Sequence, residues 1–204
     1  MLIKSSSPCR ISLLGGGSDV SPYCDLYSGM VLSMAINLRQ EVELTIDDKD
    51  HYGELTFPLE GNRNFYKTII EQLGFSQREV GLVARFDGEI TGGIGSSAAA
   101  TVALVGAIAK AKGIKYDKDE IARVAWNMEV NKLGLFGGKQ DQWAAAHGGV
   151  NVFRFENGRV ETISLSPSFI KPLLPMWPEV LLCFTSLLFG GIDILKSPPF
   201  FLLV

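Results

Sequence analysis

Apolar and polar positions alternate with period two in some parts of the chain and with a helical period in others. Arg10 to Leu14 is a short, mostly apolar run that stops at Gly15-Gly16-Gly17, which reads as a strand entering a turn. Val42, Leu44 and Ile46 alternate with Glu43 and Thr45, so Glu41 to Ile46 is a second strand, followed by the polar turn Asp47-Asp48-Lys49-Asp50. Phe65, Ile69, Ile70 and Leu73 share one face of a helix over 64–73, and Leu82 to Phe86 alternates again. Ala98 to Ala111 is apolar nearly all round, the pattern of a buried helix. Lys118 to Lys132 predicts a further helix, with Asp117 or Asp119 near its start and Gly134 soon after its end. Phe153 and Phe155, then Asn157-Gly158, then Val160 to Leu165 predict a β-hairpin over 151–165, because Asn-Gly suits a type I′ turn. Interleaved strands and helices fit an α/β or α+β sandwich, and no internal repeat is visible.

The tail breaks this pattern. Pro172, Pro175 and Pro178 interrupt one stretch, and Ser197-Pro-Pro-Phe-Phe-Leu-Leu-Val204 ends on bare apolar residues. A terminus that frays into water is polar, so an apolar tip leads to the expectation of a missing continuation or a changed reading frame. The alternative is a tail that packs on the body. The division expected is a domain over 1–165 and the start of an incomplete C-terminal domain over 166–204.

Composition narrows the function classes. The chain has 204 residues, 47% of them apolar, enough for one sizeable core. A net charge of −3 supplies no basic field for nucleic acid or an anionic membrane. Cys9, Cys24 and Cys183 are sparse and unpatterned, which reads as free thiols in a reducing compartment. His51 and His147 stand far from any cysteine pair, so zinc is not expected. Val180 to Gly191 is too short to span a bilayer, which takes roughly 20 residues, and Met1 to Ser7 has no apolar leader. The expectation is a cytoplasmic protein.

Three glycine-rich segments carry candidate chemistry. Thr91-Gly-Gly-Ile-Gly-Ser-Ser-Ala-Ala-Ala100 feeds the alanine-rich helix, with Ser96 and Ser97 as candidate N-caps. A glycine turn entering a helix presents unpaired N–H groups and the positive end of a dipole, an anion site suited to phosphate; an ordinary capped loop is the alternative. Pro8-Cys-Arg-Ile-Ser-Leu-Leu-Gly-Gly-Gly-Ser-Asp19 runs a strand into a turn, where Asp19 either accepts from sugar hydroxyls or caps the turn. Leu133-Gly-Leu-Phe-Gly-Gly-Lys-Gln-Asp-Gln142 is a flexible glycine loop with Asp141 beside Lys139, after a helix containing Glu129. It is either a base with a cationic neighbour or a solvated turn. Together the segments make a phosphoryl-transfer set.

In this order the set resembles the GHMP kinases, the superfamily of galactokinase, homoserine kinase, mevalonate kinase and phosphomevalonate kinase. Gly93-Ile-Gly-Ser-Ser-Ala-Ala99 is similar to that family's glycine motif, with Ile94 in place of Leu. Gly-Gly-Gly-Ser-Asp-Val-Ser-Pro-Tyr23 and Gly-Gly-Lys-Gln-Asp-Gln142 resemble the heptose 7-phosphate kinase branch, with Ser18 where Thr is usual. The resemblance implies an α+β fold, the two-layer sandwich of the ribosomal protein S5 domain 2-like type. It implies ATP on Gly92, Gly93, Ile94, Gly95, Ser96, Ser97 and Ala98, and Mg²⁺ on Ser97 and Glu129. It also implies catalysis by Asp141 with Lys139 offsetting charge, and a sugar phosphate facing Arg10, Gly17, Ser18 and Asp19. Phosphorylation of the anomeric hydroxyl of a heptose 7-phosphate is the implied activity. A fucose- or galactose-like acceptor, and a non-catalytic remnant that binds nucleotide weakly, stay open beside it. The family's third motif, the proline before the glycine motif and a late arginine have no counterpart here. An apolar C-terminal surface left open by a missing domain leaves room for a homodimer.

Overall fold

The structure is a computed structural model and describes residues 1–47, 49–51, 55–56, 63–86, 93–166 and 168. Its framework is one long strand. β2 (Gly29–Thr45) pairs antiparallel along one side with β1 (Leu2–Leu14), and on its other side with two strands in turn. β4 (Gly81–Phe86) takes Gln40–Thr45, and β5 (Val150–Glu156) takes Gly29–Met34. β3 (Leu55–Thr56) adds parallel to β4, and β6 (Arg159–Leu165) closes a hairpin with β5. Among the described residues the sheet has six strands. Asn157 and Gly158, both at positive φ, form the tight turn that Asn-Gly predicts.

Five α-helices accompany the sheet among the described residues: α1 (Tyr23–Tyr27), α2 (Arg63–Gln72), α3 (Ser96–Ala111), α4 (Lys118–Asn127) and α5 (Gln140–His147). α4 begins with a reciprocal capping box. The Asp117 carboxylate accepts from Glu120 N at 2.8 Å, and the Glu120 carboxylate accepts from Asp117 N at 2.8 Å. Asp117 is therefore the cap, not Asp119. α4 runs directly into a π-helical turn, Met128–Lys132, so the helix predicted over 118–132 is continuous in space but changes its winding at Met128.

α3 confirms the all-round apolar reading. Ala100, Ala103, Leu104, Ala107 and Ile108 pack on Val42, Leu44, Leu82 and Ala84 of the sheet and on Tyr66, Ile69 and Ile70 of α2. Ala99, Val102 and Val105 pack the other way, on Cys9, Met34 and Ile36 and on Ala125 and Ala145 of α4 and α5. A third cluster joins Cys24, Val31, Ala122, Trp143, Ala144, Phe153 and Phe155. The outer face of the sheet carries charge instead: Glu43 bridges Lys4 and Arg85, each at 2.8 Å.

Four sequence-based boundaries are corrected. β1 and β2 extend far beyond Arg10–Leu14 and Glu41–Ile46, because serines and short polar residues occupy strand positions that a hydrophobic pattern passes over. α1 and β3 are too short to show a period. The N-cap of α3 is Gly95, in the left-handed region at φ 69°, with no side-chain cap; Ser96 and Ser97 lie inside the helix. The segment read as a flexible loop over 133–142 ends at Lys139, after which Gln140 starts α5. Residues 167 and 169–204, with the apolar run over 180–191 and Cys183, lie outside the described residues, as do Thr91 and Gly92. No described helix is long and apolar enough to cross a membrane.

Leu104 is fully buried against two elements. Leu104→Ala is expected to lower unfolding free energy by about 2–5 kcal/mol, read as a shifted urea midpoint with an unchanged slope.

Candidate active site

Four elements converge at the N-terminal end of α3. β1 contributes Arg10, just past a register shift between Pro8 and Arg10 that changes how the strand presents its side chains. The Arg10 backbone N donates to Ile94 O at 2.9 Å, and its Nη1 donates to Gly93 O, so β1 holds the glycine motif in place. Arg10 Nε donates to Asp141 Oδ1 at 2.8 Å, and Nη2 lies 2.6 Å from the same oxygen. A Cβ on Gly95 would stand 3.3 Å from Arg10 Cγ and 3.5 Å from Asp141 Cγ. The start of α3 thus has no room for a side chain beyond Cβ between Gly95 and the Arg10–Asp141 pair.

The first turn of α3 has the backbone chemistry that an anion needs. Its leading amides have no intrahelical acceptors, and no side chain caps them. Ser97 is exposed, Ser96 and Ile94 are half-buried, and Gly95 and Ala98 are buried. One turn on, Thr101 Oγ1 lies 3.1 Å from Ser97 O and 2.5 Å from Glu129 Oε1.

Glu129 sits in the π-helical turn and is only 6% exposed. Its other oxygen, Oε2, accepts from Gln142 Nε2 at 3.0 Å. Burial pushes the carboxyl up to about 7, with Asp141 adding to the rise while the Thr101 and Gln142 hydrogen bonds oppose it. Both hydrogen-bond donors are neutral, so among the described residues the negative charge has no cationic partner in direct contact. A divalent cation would supply one, and a carboxylate beside a turn that carries Ser96, Ser97 and Thr101 is the right donor chemistry for a hard cation. Among the described residues no group of three His, Cys, Asp or Glu forms a metal site, so phosphate oxygens would have to complete the coordination.

The remaining residues named from sequence are redistributed. Asp141 and Arg10 meet, but the cation on Asp141 is Arg10 and not Lys139. Lys139 is buried, with Nζ 3.7 Å from Cys24 Sγ and from Asp25 Oδ1, and 5.5 Å from the Trp126 ring centroid. Standing two positions apart does not bring the two together, because Lys139 precedes the helix that carries Asp141. Asp19 is 1% exposed and takes protein donors: Gly17 N at 3.2 Å, Gln140 N at 2.9 Å and Gln140 Nε2 at 3.3 Å. It tethers the start of α5, and a Cβ on Gly138 would collide with its carboxylate. Ser18 Oγ bonds Gly15 O at 2.7 Å and Met30 N at 3.1 Å, pinning the glycine turn to β2. Gly17 remains exposed. Sequence reasoning missed Thr101, Gln140 and Gln142. The signal for Thr101 was its i+4 spacing from Ser97, and the two glutamines flank Asp141.

Residues 63–149 match the family model of the GHMP kinases N terminal domain. Over these residues the chain resembles that domain in sequence, and its fold is that of the GHMP kinases. It is 30% identical over 187 residues to the D-glycero-alpha-D-manno-heptose 7-phosphate kinase of Campylobacter jejuni, a match covering 83% of this chain and 55% of that protein. A crystal structure of a D-glycero-D-manno-heptose 1-phosphate kinase from Bacteroides thetaiotaomicron superposes with a TM-score of 0.70 at 28% identity, over 81% of this chain and 60% of the other. A putative sugar kinase from Campylobacter jejuni gives 0.66 at 27%, over 85% and 59%. Mevalonate kinase, at 17% identity and a TM-score of 0.58, shares the fold. The chain spans little more than half the length of the curated relative it matches.

The raised Glu129 carboxyl has a thermodynamic consequence. Its value in the folded chain, about 7, exceeds the ordinary 4.5, so between these values the folded state binds more protons than the unfolded one. Its contribution to stability falls as pH rises through that window and levels off above it, by about 3 kcal/mol in all. Glu129→Gln is therefore expected to raise the stability of the ligand-free chain at pH 8 and to flatten its pH dependence between 4.5 and 7. Urea unfolding at several pH values measures this; an unchanged pH profile would refute it.

Proposed function

We propose that this chain is the ATP-binding part of a GHMP-type sugar kinase that phosphorylates a heptose phosphate on its anomeric hydroxyl. One observation carries the reading: the uncapped first turn of α3, the Arg10–Asp141 pair and the buried Glu129 carboxylate occupy one neighbourhood. The similarity to two proteins named as heptose phosphate kinases supports the acceptor class.

In this reading the γ-phosphoryl group passes from ATP to the sugar oxygen, the bond to the ADP oxygen breaks, and the hydroxyl proton leaves to a base. The amides of Gly93 to Ala98 hold the phosphates at the positive end of α3, and Gly92 falls to the same role by resemblance. Ser97 and Glu129 would hold Mg²⁺, which offsets phosphate charge when bound. Asp141 orients the acceptor hydroxyl and takes its proton. Both Arg10 contacts fall on Oδ1, which leaves Oδ2 for that hydroxyl, and the ion pair holds the carboxylate in place. Lys139 stands off from this pair and serves instead to hold α1 against the start of α5. Asp19 and Ser18 shape the glycine turn over which the sugar lies, with Gly17 exposed on it. This assigns to Asp19 a supporting part rather than direct contact.

Two variants test the reading. Gly95→Val places a branched side chain at a left-handed position against Arg10 and Asp141, and is expected to abolish ATP binding in a calorimetric titration. Unchanged affinity would exclude the site. Asp141→Asn is expected to lower turnover with heptose 7-phosphate by about 10²–10⁴-fold, the usual contribution of a general base, while ATP affinity holds. Turnover equal to that of the unsubstituted protein would remove Asp141 as the base.

A further inference from the structure

Gln142 is 3% exposed, one residue past Asp141 on α5. Its Nε2 donates to Glu129 Oε2 at 3.0 Å, while its own Oε1 is buried without a hydrogen-bond partner. A glutamine kept for packing alone would satisfy both ends of its amide or be replaced by an apolar side chain of the same volume. This one leaves its carbonyl unpaired and spends its N–H on a carboxylate. The second carboxylate oxygen is fixed by Thr101 Oγ1 at 2.5 Å. One donor on each oxygen defines the plane of the carboxylate and arrests its rotation. The two donors come from different helices, Thr101 from α3 and Gln142 from α5. The acid is thereby fixed relative to both the anion-binding turn and the Arg10–Asp141 pair.

We propose that Gln142 is a positioning residue whose amide N–H orients the Glu129 carboxylate toward a divalent cation carried by the nucleotide phosphates, and ties that orientation to Asp141 beside it. The proposal rests on the kinase reading above. Metal-ligating carboxylates depend on such hydrogen bonds, and losing one weakens metal binding by about 10–100-fold. The amide also couples the two acids mechanically: α5 cannot shift Asp141 without shifting the anchor of Glu129.

The test is a pair of calorimetric titrations of the chain with ATP, one in EDTA and one with Mn²⁺ as the probe cation, for the unsubstituted protein and for Gln142→Met. Methionine keeps the volume and removes the donor. The factor by which Mn²⁺ strengthens ATP binding is expected to fall by about 10–100-fold in the variant, with ATP affinity in EDTA unchanged. An unchanged Mn²⁺ factor overturns the proposal. So does an equal loss of affinity with and without the metal, which is what a merely distorted α5 would give. Should Gln142→Met not fold, Gln142→Asn, whose amide is too short to reach Glu129, is expected to give the same split and is judged by the same outcomes. Failure of the unsubstituted chain to bind ATP under either condition overturns the kinase reading and this proposal with it. ATP binding with an undiminished Mn²⁺ factor in the variant overturns the positioning role alone.

Discussion

The first turn of α5 is the constraint on which the candidate site depends. Three consecutive side chains leave it for three different elements: Gln140 for Asp19 in the glycine turn after β1, Asp141 for Arg10 on β1 itself, and Gln142 for Glu129 in the π-helical turn. A helix rotates by about 100° per residue, so three neighbours on one turn point in three directions. That geometry lets eight residues of helix join parts of the chain separated by more than a hundred positions. The start of the turn is secured from outside, because the buried Asp19 carboxylate accepts from Gln140 N, one of the amides a helix cannot satisfy internally. Gly138 has no side chain to keep the Asp19 carboxylate from coming this close. Of the glycines that first suggest a flexible loop, Gly138 is there for close packing, whereas Gly134 and Gly137 have open space where a Cβ would stand.

The two acids of the site are kept in opposite electrostatic conditions. Asp141 is partly open to water and paired with a guanidinium. Glu129 is buried between two neutral donors, with Asp141 adding repulsion, which disfavours its charged form. A protein that only had to be stable would gain by replacing such a glutamate. In the proposed function the counter-charge that Glu129 lacks arrives with a ligand. Arg10 turns its guanidinium to Asp141 and to the Gly93 carbonyl, and none of its contacts among the described residues reaches Glu129. Charge separation between the two sides of α5 follows from where one arginine is placed.

The sequence made most of the scaffold legible and only the outline of the site. α2, α3, β4 and the β5–β6 hairpin were readable because each has a clean period or an unambiguous turn. The first half of β2 was not, although it holds the sheet together. Gly29 to Gln40 mixes Met, Ser, Ala and Asn, and both of its edges are paired for reasons that lie elsewhere in the chain. At the site, the glycine motif, Glu129 and Asp141 were visible as residue types in order. Their partners were not. Lys139 was the plausible cation for Asp141 by sequence distance, and Arg10 is the actual one at a separation of 131 residues. Helix start positions decided this, because with Gln140 as the first helical residue, Lys139 is turned toward Cys24 and Asp25 instead.

Rigidity is what α3 offers the proposed phosphate site that a surface helix would not. The helix is enclosed by the sheet, α2, α4 and α5, and eleven of its sixteen residues are buried. Its N-terminus cannot drift without breaking that packing. Alanine makes the enclosure possible: Ala98, Ala99, Ala100, Ala103, Ala107 and Ala109 allow neighbours to approach on every side, and alanine costs nothing in helix propensity. A helix of larger side chains would stand off from β1 and carry its first turn away from Arg10. The small residues that make the sequence look featureless between Ala98 and Ala111 therefore set the distance at which the dipole, the guanidinium and the two carboxylates meet.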